Sequence, residues 1–336
     1  MNILAFESSC DETAAAVVRD GRQVLSSCIA SQIEMHAVYG GVVPEIASRK
    51  HVEAISALAD QAVADAGLDK SAIDAVAATC APGLIGAVLV GVSFAKAAAW
   101  ALGVPLIPVH HVRGHIAANY LTHPELEPPF VCLCISGGTT IIADVRSYTE
   151  ISVLGGTRDD AAGECFDKVA RVLDIGYPGG APMDRLGQTG DPTRYDLPRG
   201  HVEGAELDMS FSGLKTAGLN LIHHAEQTGE ALCLPDFAAS FGQAVSDSLV
   251  PRAVSAARKQ GYGKLAVAGG VAANTRIRGD LERACRASQI RLFLPELRWC
   301  GDNAAMIGCQ GYYEYLAGHV APLDQNAFAT RDISLG

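Results

Sequence analysis

Two histidines near the middle of the chain have the spacing of metal ligands. His111 and His115 are four residues apart and follow an apolar run, residues 104–109, that we interpret as a buried strand. If a helix begins here, both imidazoles lie on one of its faces, one turn apart. Two imidazoles supply only two of the ligands a metal ion needs, and pairs at this spacing also occur for purely structural reasons. A metal site therefore requires a third ligand from elsewhere in the chain.

Asp302, at the start of the last predicted helix, is the natural third ligand. Two histidines and one aspartate leave coordination positions open for a substrate or for water. The residues between the histidines are Val112, Arg113 and Gly114, so the His-Glu-x-x-His motif of zinc proteases, with its catalytic glutamate, is not present. A structural role for the pair and a metal site both stay open here, and a metal site would lack the general base of a zinc protease.

The predicted elements repeat one order: strand, polar turn, two strands, helix, strand, glycine turn, helix, strand. One copy runs from about residue 3 to 109 and the other from about 130 to 294, and a last helix covers about 301–316. We expect an α/β protein of two duplicated lobes. The first lobe comprises residues 1–108 plus about 303–336, and the second about 109–302. An insertion at about 157–235, rich in Gly, Asp and Pro, is interpreted as functional loops.

Composition limits the class of protein. Hydrophobic residues are 49% and charged residues 19%, which is typical of a compact globular protein. We found neither a charge-free apolar run of about 18 residues nor a basic N-terminal segment, so we expect no membrane span and no signal peptide. The ten cysteines include no Cys-x-x-Cys pair, which favours reduced, buried thiols in a cytoplasmic protein.

The net charge of −11 argues against a chain that binds nucleic acid unaided. Six arginines depart from this average, and two interpretations stay open for them: a phosphate-facing patch or a solvated helix face. They are Arg276, Arg278, Arg283, Arg286, Arg291 and Arg298.

Three glycine turns occur at matching places in the two copies: residues 83–86, 136–138 and 269–270. Glycine lets backbone N–H groups approach an anion closely, because no Cβ intervenes. We found neither a Gly-x-x-x-x-Gly-Lys P-loop nor a Gly-x-Gly-x-x-Gly fingerprint. The duplicated pattern resembles instead the ribonuclease-H-like lobes of the actin, sugar-kinase and Hsp70 ATPase group, which implies a cleft between the lobes.

Several longer motifs together resemble one family, the TsaD tRNA N6-adenosine threonylcarbamoyltransferases, formerly called O-sialoglycoprotein endopeptidases. The resemblance covers nearly the whole chain and fits the bacterial type. Its motifs are His36-x-x-Tyr-Gly-Gly-Val-Val-Pro-Glu45, Pro82-Gly-Leu-x-Gly86, His111-x-x-Gly-His115, Asp159-Asp-Ala-Ala-Gly-Glu164-x-Phe-Asp-Lys168, Tyr177-Pro-Gly-Gly180, Ser210-Phe-Ser-Gly-Leu-Lys215 and Gly269-Gly-Val-Ala-Ala-Asn274.

The resemblance implies transfer of a threonylcarbamoyl group from threonylcarbamoyl-AMP to N6 of the adenosine beside the anticodon of tRNA, with release of AMP. It implies one metal ion, Fe²⁺ or else Zn²⁺, bound by His111, His115 and Asp302, and it places Asp11 and Glu12 at the reacting centre. For Asp11, acceptance of a proton and a structural role both stay open. The implied adenylate-binding residues are Cys134, Ile135, Ser136, Gly137, Gly138, Asp167, Gly180, Asp184 and Asn274.

The resemblance also implies partners: a catalytically inactive TsaB-type paralogue, a small TsaE-type ATPase, and a separate synthase that makes the adenylate. The small-residue helix at 87–102 is either a partner-packing surface or a buried core helix. Two other functions remain as alternatives, a metalloprotease and an ATPase scaffold of the actin-like fold. One departure from the family pattern is Thr139, where the family has His, and it removes a possible donor near the phosphate or the metal.

Overall fold

The computed structural model describes residues 1–335, and its strands form two five-stranded sheets. The strands are β1 (Asn2–Glu7), β2 (Glu12–Arg19), β3 (Gln23–Ser31), β4 (Ala75–Ala81), β5 (Leu106–His110), β6 (Phe130–Ile135), β7 (Thr140–Val145), β8 (Ile151–Gly156), β9 (Lys264–Ala268) and β10 (Arg291–Phe293). The helices are α1 (Ile33–Ala37), α2 (Pro44–Asp65), α3 (Ile85–Leu102), α4 (His111–Thr122), α5 (Ala162–Val172), α6 (Gly180–Gly187), α7 (Ser212–Thr228), α8 (Leu234–Lys259), α9 (Thr275–Ala287) and α10 (Ala304–Leu316).

The two sheets have the same strand order. The first runs β3-β2-β1-β4-β5 and the second β8-β7-β6-β9-β10, so each strand has a counterpart at the same place in the other sheet. In both, the strands on one side of the middle strand are parallel to it: β4 and β5 in the first sheet, β9 and β10 in the second. The predicted duplication of an α/β lobe is confirmed.

The first sheet places its chemistry-bearing residues at one edge. Because β1, β4 and β5 are parallel, their carboxyl ends lie at the same edge of the sheet. Glu7 ends β1, Thr79 lies near the end of β4, and His110 ends β5. The segments that follow β1, β4 and β5 therefore begin close to one another.

Helices cover both faces of this sheet. Small and β-branched residues of β1 and β2 alternate between two buried clusters, one against α2 and α3 and the other against α10. α10 approaches the strands closely because Gly308 has no side chain, and a Cβ there would lie only 2.7 Å from Cγ2 of Val18. This close approach fixes where α10 begins, and so where Asp302 lies just before it.

α3 is long and apolar enough, by length and composition alone, to cross a membrane, a test that core helices of globular proteins also pass. Part of the helix is buried against β1 and β4, including Ala95 and Ala99. Its other face carries Ile85, Leu89 and Trp100, which are 51%, 49% and 74% exposed. The ten cysteines are free; eight of them are buried, whereas Cys10 is half-buried and Cys233 is exposed, so the predicted burial holds for eight.

The chain divides into two compact units. The first comprises Met1–Pro128, Val145–Ser152 and the residues from Pro295 onward, and the second comprises Pro129–Asp144 and Val153–Leu294. α4 and Asp302 both belong to the first unit. The segment at 157–235, interpreted from its sequence as loops, contains the helices α5, α6 and α7. That interpretation was wrong because Gly and Pro clusters separate these helices and dominate the local composition.

Candidate metal centre and nucleotide pocket

The two histidines begin α4, as their spacing predicted. His110 ends β5, and its Nδ1 accepts the N–H of Val112 at 3.2 Å, which caps the helix. His111 and His115 follow one turn apart, with ring centroids 4.6 Å apart and ring planes at 79°. Both side chains are buried in the first unit. A strand, a cap and a helix thus direct both imidazoles to one point.

Asp302 completes the cluster from the segment before α10. Its Oδ1 lies 3.1 Å from Nε2 of His115 and 3.5 Å from Nε2 of His111. One nitrogen or oxygen atom from each of the three residues lies within 4.8 Å of the others. Asn303, the next residue, caps α10 by accepting the N–H of Met306 at 2.9 Å, which fixes the start of the helix beside Asp302.

The three side chains suit a divalent metal ion. Both ring nitrogens of His115 are buried; Nδ1 has no hydrogen-bond partner among residues 1–335, and Nε2 faces Asp302, so Nε2 is placed to share a metal ion with that carboxylate. Nδ1 of His111 lies 2.9 Å from Oε2 of Glu7, which leaves Nε2 to face Asp302. Imidazole nitrogens and a carboxylate oxygen are ligands that both Fe²⁺ and Zn²⁺ accept.

The charges of the cluster favour a cation. Burial lowers the pKa of His111, but the Glu7 and Asp302 carboxylates outweigh this effect and raise it to about 9. Burial raises the pKa of Asp302, but His111 and His115 hold it at about 2. Two carboxylates therefore face a protonated His111, and a divalent cation held by these side chains would take the place of that proton.

Glu7 is the residue of this centre that the sequence interpretation missed. It is fully buried and accepts hydrogen bonds from the Ser9 N–H and the Thr79 hydroxyl, both at 2.5 Å. The sequence interpretation assigned Glu7 to the polar turn after the first strand. The available signal was its place directly after the apolar residues 3–6, where a strand carries it into the core.

Asp11 lies in the turn between β1 and β2 and Glu12 begins β2, both near the Asp302 carboxylate. The negative charge of Asp302 acts on both, although burial is the larger cause of their raised pKa values. Oε1 of Glu12 accepts the Ser31 hydroxyl at 2.8 Å, whereas Oε2 is buried with no hydrogen-bond partner among residues 1–335. The pKa of Glu12 is raised to about 7. An unpaired carboxylate oxygen of this kind is suited to proton transfer.

The second unit contains a cavity of about 350 Å³ at its glycine turns. Gly163, at the start of α5, packs so closely on the turn after β6 that a Cβ would lie 2.4 Å from the carbonyl oxygen of Ser136. Gly269 has a φ of +92°, and a Cβ there would lie 2.3 Å from the carbonyl oxygen of Ile135. Of the predicted adenylate-binding residues, five line the cavity: Gly137, Asp167, Gly180, Asp184 and Asn274.

The other predicted adenylate-binding residues do not line the cavity. Cys134 and Ile135 are buried in β6, and Ser136 and Gly138 lie in the turn that follows. Ser136 also shapes this turn, because its N–H donates to the carbonyl oxygen of Thr139 at 2.8 Å.

Three polar side chains that line the cavity also accept hydrogen bonds from backbone N–H groups around it. Asp167 accepts the N–H of Gly179 at 2.7 Å, and Asn274 caps α9 by accepting the N–H of Ile277 at 3.1 Å. Asp184 accepts both the N–H and the hydroxyl of Thr275, so one of its roles is to anchor the start of α9.

Two further motifs of the sequence meet beside α5. Asp159 accepts the hydroxyls of Ser210 and Ser212, both at 2.6 Å, and Asp160 is paired with Lys215. These contacts fix the loop that leads into α5.

Polar contacts engage Arg276, Arg283 and Arg298 of the six arginines noted in the sequence. Arg276 donates to Gln243 at 2.8 Å, Arg283 is paired with Asp280, and Arg298 is paired with Glu296 at 2.8 Å. For the group as a whole, the phosphate-facing patch and the solvated helix face stay predictions.

Comparison with known proteins gives a consistent result. The family model described as TsaD, tRNA N6-adenosine threonylcarbamoyltransferase, matches residues 23–309. Curated relatives of that name include a Clostridium botulinum (strain 657 / Type Ba4) protein, 50% identical over 97% of this chain and 96% of its own. Another, from Moorella thermoacetica, is 52% identical over 97% of this chain and 95% of its own.

Solved structures show the fold alone. HypF of T. kodakarensis superposes with a TM-score of 0.62 at 16% identity, covering 95% of this chain and 48% of its own. Component A of the Acidaminococcus fermentans (R)-2-hydroxyglutaryl-CoA dehydratase superposes with a TM-score of 0.54 at 14% identity, covering 94% of this chain and 99% of its own.

Proposed function

The chain belongs to the TsaD family of tRNA N6-adenosine threonylcarbamoyltransferases, and we propose a role in its reaction for each part of the site described above. The reaction transfers the threonylcarbamoyl group of threonylcarbamoyl-AMP to N6 of the adenosine 3′ to the anticodon, in tRNAs that read codons starting with A, and releases AMP. The observation that carries this conclusion is about 50% identity to curated members over 97% of the chain. Neither alternative from the sequence, a metalloprotease or an ATPase scaffold, is favoured.

His111, His115 and Asp302 would hold one divalent ion, for which we propose Fe²⁺, with Zn²⁺ as the second candidate. Such an ion supplies stabilisation of the negative charge that develops on the carbamoyl oxygen during attack by the amine. The support is the convergence of three ligand atoms, with Nε2 of His115 and Nε2 of His111 both facing Asp302.

Glu12 and Asp11 are proposed to act on the proton that the attacking N6 amine loses. Glu12 is the better suited, since one of its oxygens is buried and unpaired and its pKa is raised by burial to about 7. A carboxylate with a pKa near the working pH accepts a proton efficiently. For Asp11, the contribution is proposed to be electrostatic.

The cavity at the glycine turns of the second unit is proposed to bind the adenylate. Backbone N–H groups of a glycine turn suit a phosphate, and Asp167 and Asp184 offer carboxylates for ribose or base polar groups. AMP, the released product, is the simplest probe. Gly180→Val, which adds a side chain at the lining, should weaken AMP binding and leave the metal content of the first unit unchanged.

The metal role is tested with His111→Ala, His115→Ala and the double variant. We expect loss of bound metal and of threonylcarbamoyl transfer to tRNA, measured by metal analysis and by mass spectrometry of the tRNA nucleosides. His223→Ala, an exposed histidine of the second unit, is the control and should retain both. Full transfer activity in a metal-free double variant contradicts the proposal.

The exposed face of α3 is proposed to bind a TsaB-type paralogue, with a TsaE-type ATPase joining the assembly and the complex working in the cytoplasm. A chain of net charge −11 is poorly suited to bind tRNA unaided, which favours such partners. Trp100→Glu should abolish co-elution with the paralogue, because exposed aromatic side chains commonly anchor interfaces. Leu316→Glu changes a leucine of α10 that is 63% exposed and should leave co-elution intact.

A further inference from the structure

Glu7 occupies an unusual position for a carboxylate. It ends β1 with no exposed surface, in the core beside the metal centre. Burial of a charge is very unfavourable unless hydrogen bonds satisfy it. Here three donors do so: the Ser9 N–H to Oε1, and the Thr79 hydroxyl and His111 Nδ1 to Oε2. A residue held in this way has a defined orientation and a defined charge.

We propose that Glu7 is a positioning residue that fixes the tautomer of His111 and thereby directs Nε2 at the metal position. The inference rests on the metal centre proposed above. An ionised carboxylate only accepts hydrogen bonds, so Nδ1, 2.9 Å from Oε2 of Glu7, carries the proton. A ligating imidazole is neutral and has one proton, so with that proton on Nδ1 the metal-bound ring has its lone pair on Nε2, which lies 3.5 Å from Oδ1 of Asp302.

The second group at this nitrogen does not change the assignment. The Ser9 hydroxyl lies 3.2 Å from Nδ1 of His111, farther than the Glu7 oxygen. A hydroxyl can donate or accept, so Ser9 adapts to either tautomer. Of Ser9 and Glu7, only Glu7 restricts His111 to a single tautomer.

His115 provides the contrast within the same centre. Its Nε2 faces Asp302 at 3.1 Å, but its Nδ1 has no hydrogen-bond partner in the part of the chain that the structure describes, residues 1–335, so no group behind the ring orients it as Glu7 orients His111. The centre is therefore preorganised at His111 and adaptable at His115. Partners that orient a ligating histidine typically raise metal affinity about 10- to 100-fold.

Glu7→Gln is the informative change because it keeps the size of the side chain. The amide cannot satisfy the site in either orientation. If the amide NH₂ takes the position of Oε1, it faces the Ser9 N–H, and two donors oppose each other. If the NH₂ takes the position of Oε2, it faces the protonated Nδ1 of His111, and two donors again oppose each other. The stable solution is a reversed His111 tautomer or a lost hydrogen bond, and both weaken a metal ligand.

Thr79→Val is the matched control. Thr79 is 1% exposed and donates to the same oxygen of Glu7, whereas the hydrogen-bond partners of His111 Nδ1 are Glu7 and Ser9. The substitution preserves shape and removes one hydrogen bond of the buried carboxylate. It therefore separates a general disturbance of the core from the loss of control over the imidazole.

The experiment uses the full chain, stripped of metal, with Zn²⁺ as the probe in competition with a chromophoric chelator. Glu7→Gln should bind Zn²⁺ about 10- to 100-fold more weakly than the unmodified chain. Thr79→Val should bind within about threefold of it, since the ligand-orienting contact remains. Equal affinity in Glu7→Gln, or an equal loss in Thr79→Val, overturns the proposal.

A second readout works even if Glu7→Gln does not fold. In the zinc-loaded unmodified chain, ¹⁵N–¹H correlation of the histidine rings should show a proton on Nδ1 of His111 and none on Nε2. The reverse pattern overturns the proposal. Neither tRNA nor adenylate is present, so the outcomes stay distinct from those of the transfer assay. A chain that binds no Zn²⁺ contradicts the metal centre, whereas normal Zn²⁺ binding by both proteins contradicts only the role of Glu7.

Discussion

A buried ion pair should contribute strongly to the stability of the helix that bears the metal ligands. Arg113 lies between His111 and His115 on α4, and its NH1 is 2.8 Å from Oε1 of Glu314. The two side chains are 1% and 2% exposed. Nε of Arg113 also donates to the carbonyl oxygen of Ile333 at 2.8 Å, which ties α4 to the C-terminal segment. Arg113→Met keeps the apolar stem and removes both contacts.

Removal of one partner from a buried pair costs about 3–5 kcal/mol, because the other charge stays buried without compensation. Glu314 keeps two donors after the change, Nε2 of Gln310 at 2.7 Å and Nδ1 of His319 at 2.6 Å. We therefore expect a loss near the lower end, about 3 kcal/mol. Glu314→Gln in the Arg113→Met background removes the stranded charge and should recover at least about 1 kcal/mol.

Tryptophan fluorescence during urea unfolding measures these losses. Both tryptophans of the chain lie in the first unit, and Trp299, 7% exposed, follows the packing beside α10. Arg49→Met is the control, because Arg49 is 73% exposed and its pair with Glu45 should contribute less than about 1 kcal/mol. A loss below about 1 kcal/mol for Arg113→Met, or strict additivity in the double variant, refutes the reasoning.

Three further changes have defined outcomes. Burial raises the pKa of Glu12 from 4.5 to about 7. Between these two pH values, the folded chain keeps a proton on Glu12 that the unfolded chain releases. The free energy of unfolding therefore falls as the pH rises through this range. Glu12→Gln should lessen that fall between about pH 5 and 8 in urea unfolding, and an unchanged fall contradicts this. Gly269→Ala, at a φ of +92° and with its Cβ 2.3 Å from the Ile135 oxygen, should cost more than about 1 kcal/mol and weaken AMP binding in thermal melts; an unchanged melting temperature contradicts this. Asp159→Ala removes the acceptor of the Ser212 N–H at the start of α7 and should cost about 1–2 kcal/mol, seen as faster hydrogen exchange in that first turn; unaltered exchange contradicts it.

The sequence was sufficient for the elements whose pattern is local. Period-two and continuous apolar runs predicted the strands, and the repeated order predicted two lobes of one topology, which the matching strand orders confirm. The helices α5 to α7 were missed. α5 has strongly separated polar and apolar faces, yet the Gly and Pro residues on either side of it gave the segment the composition of a loop.

The function of a residue that acts through contacts distant in sequence could be predicted only where few residues of the required type were candidates. A pair of histidines four apart calls for a third ligand, and Asp302 was identifiable because few acidic residues begin a predicted helix after the second copy. Glu7 had no such limit, since its function depends on Thr79 and His111, which the sheet brings to one edge. The metal centre thus has two levels of specification. Spacing along α4 selects the ligands, and the register of the first sheet selects which nitrogen of His111 is free to bind. A change that shifts β1 against β4 by one residue would turn Glu7 to the other face of the sheet and lose this control while leaving all three ligands in place.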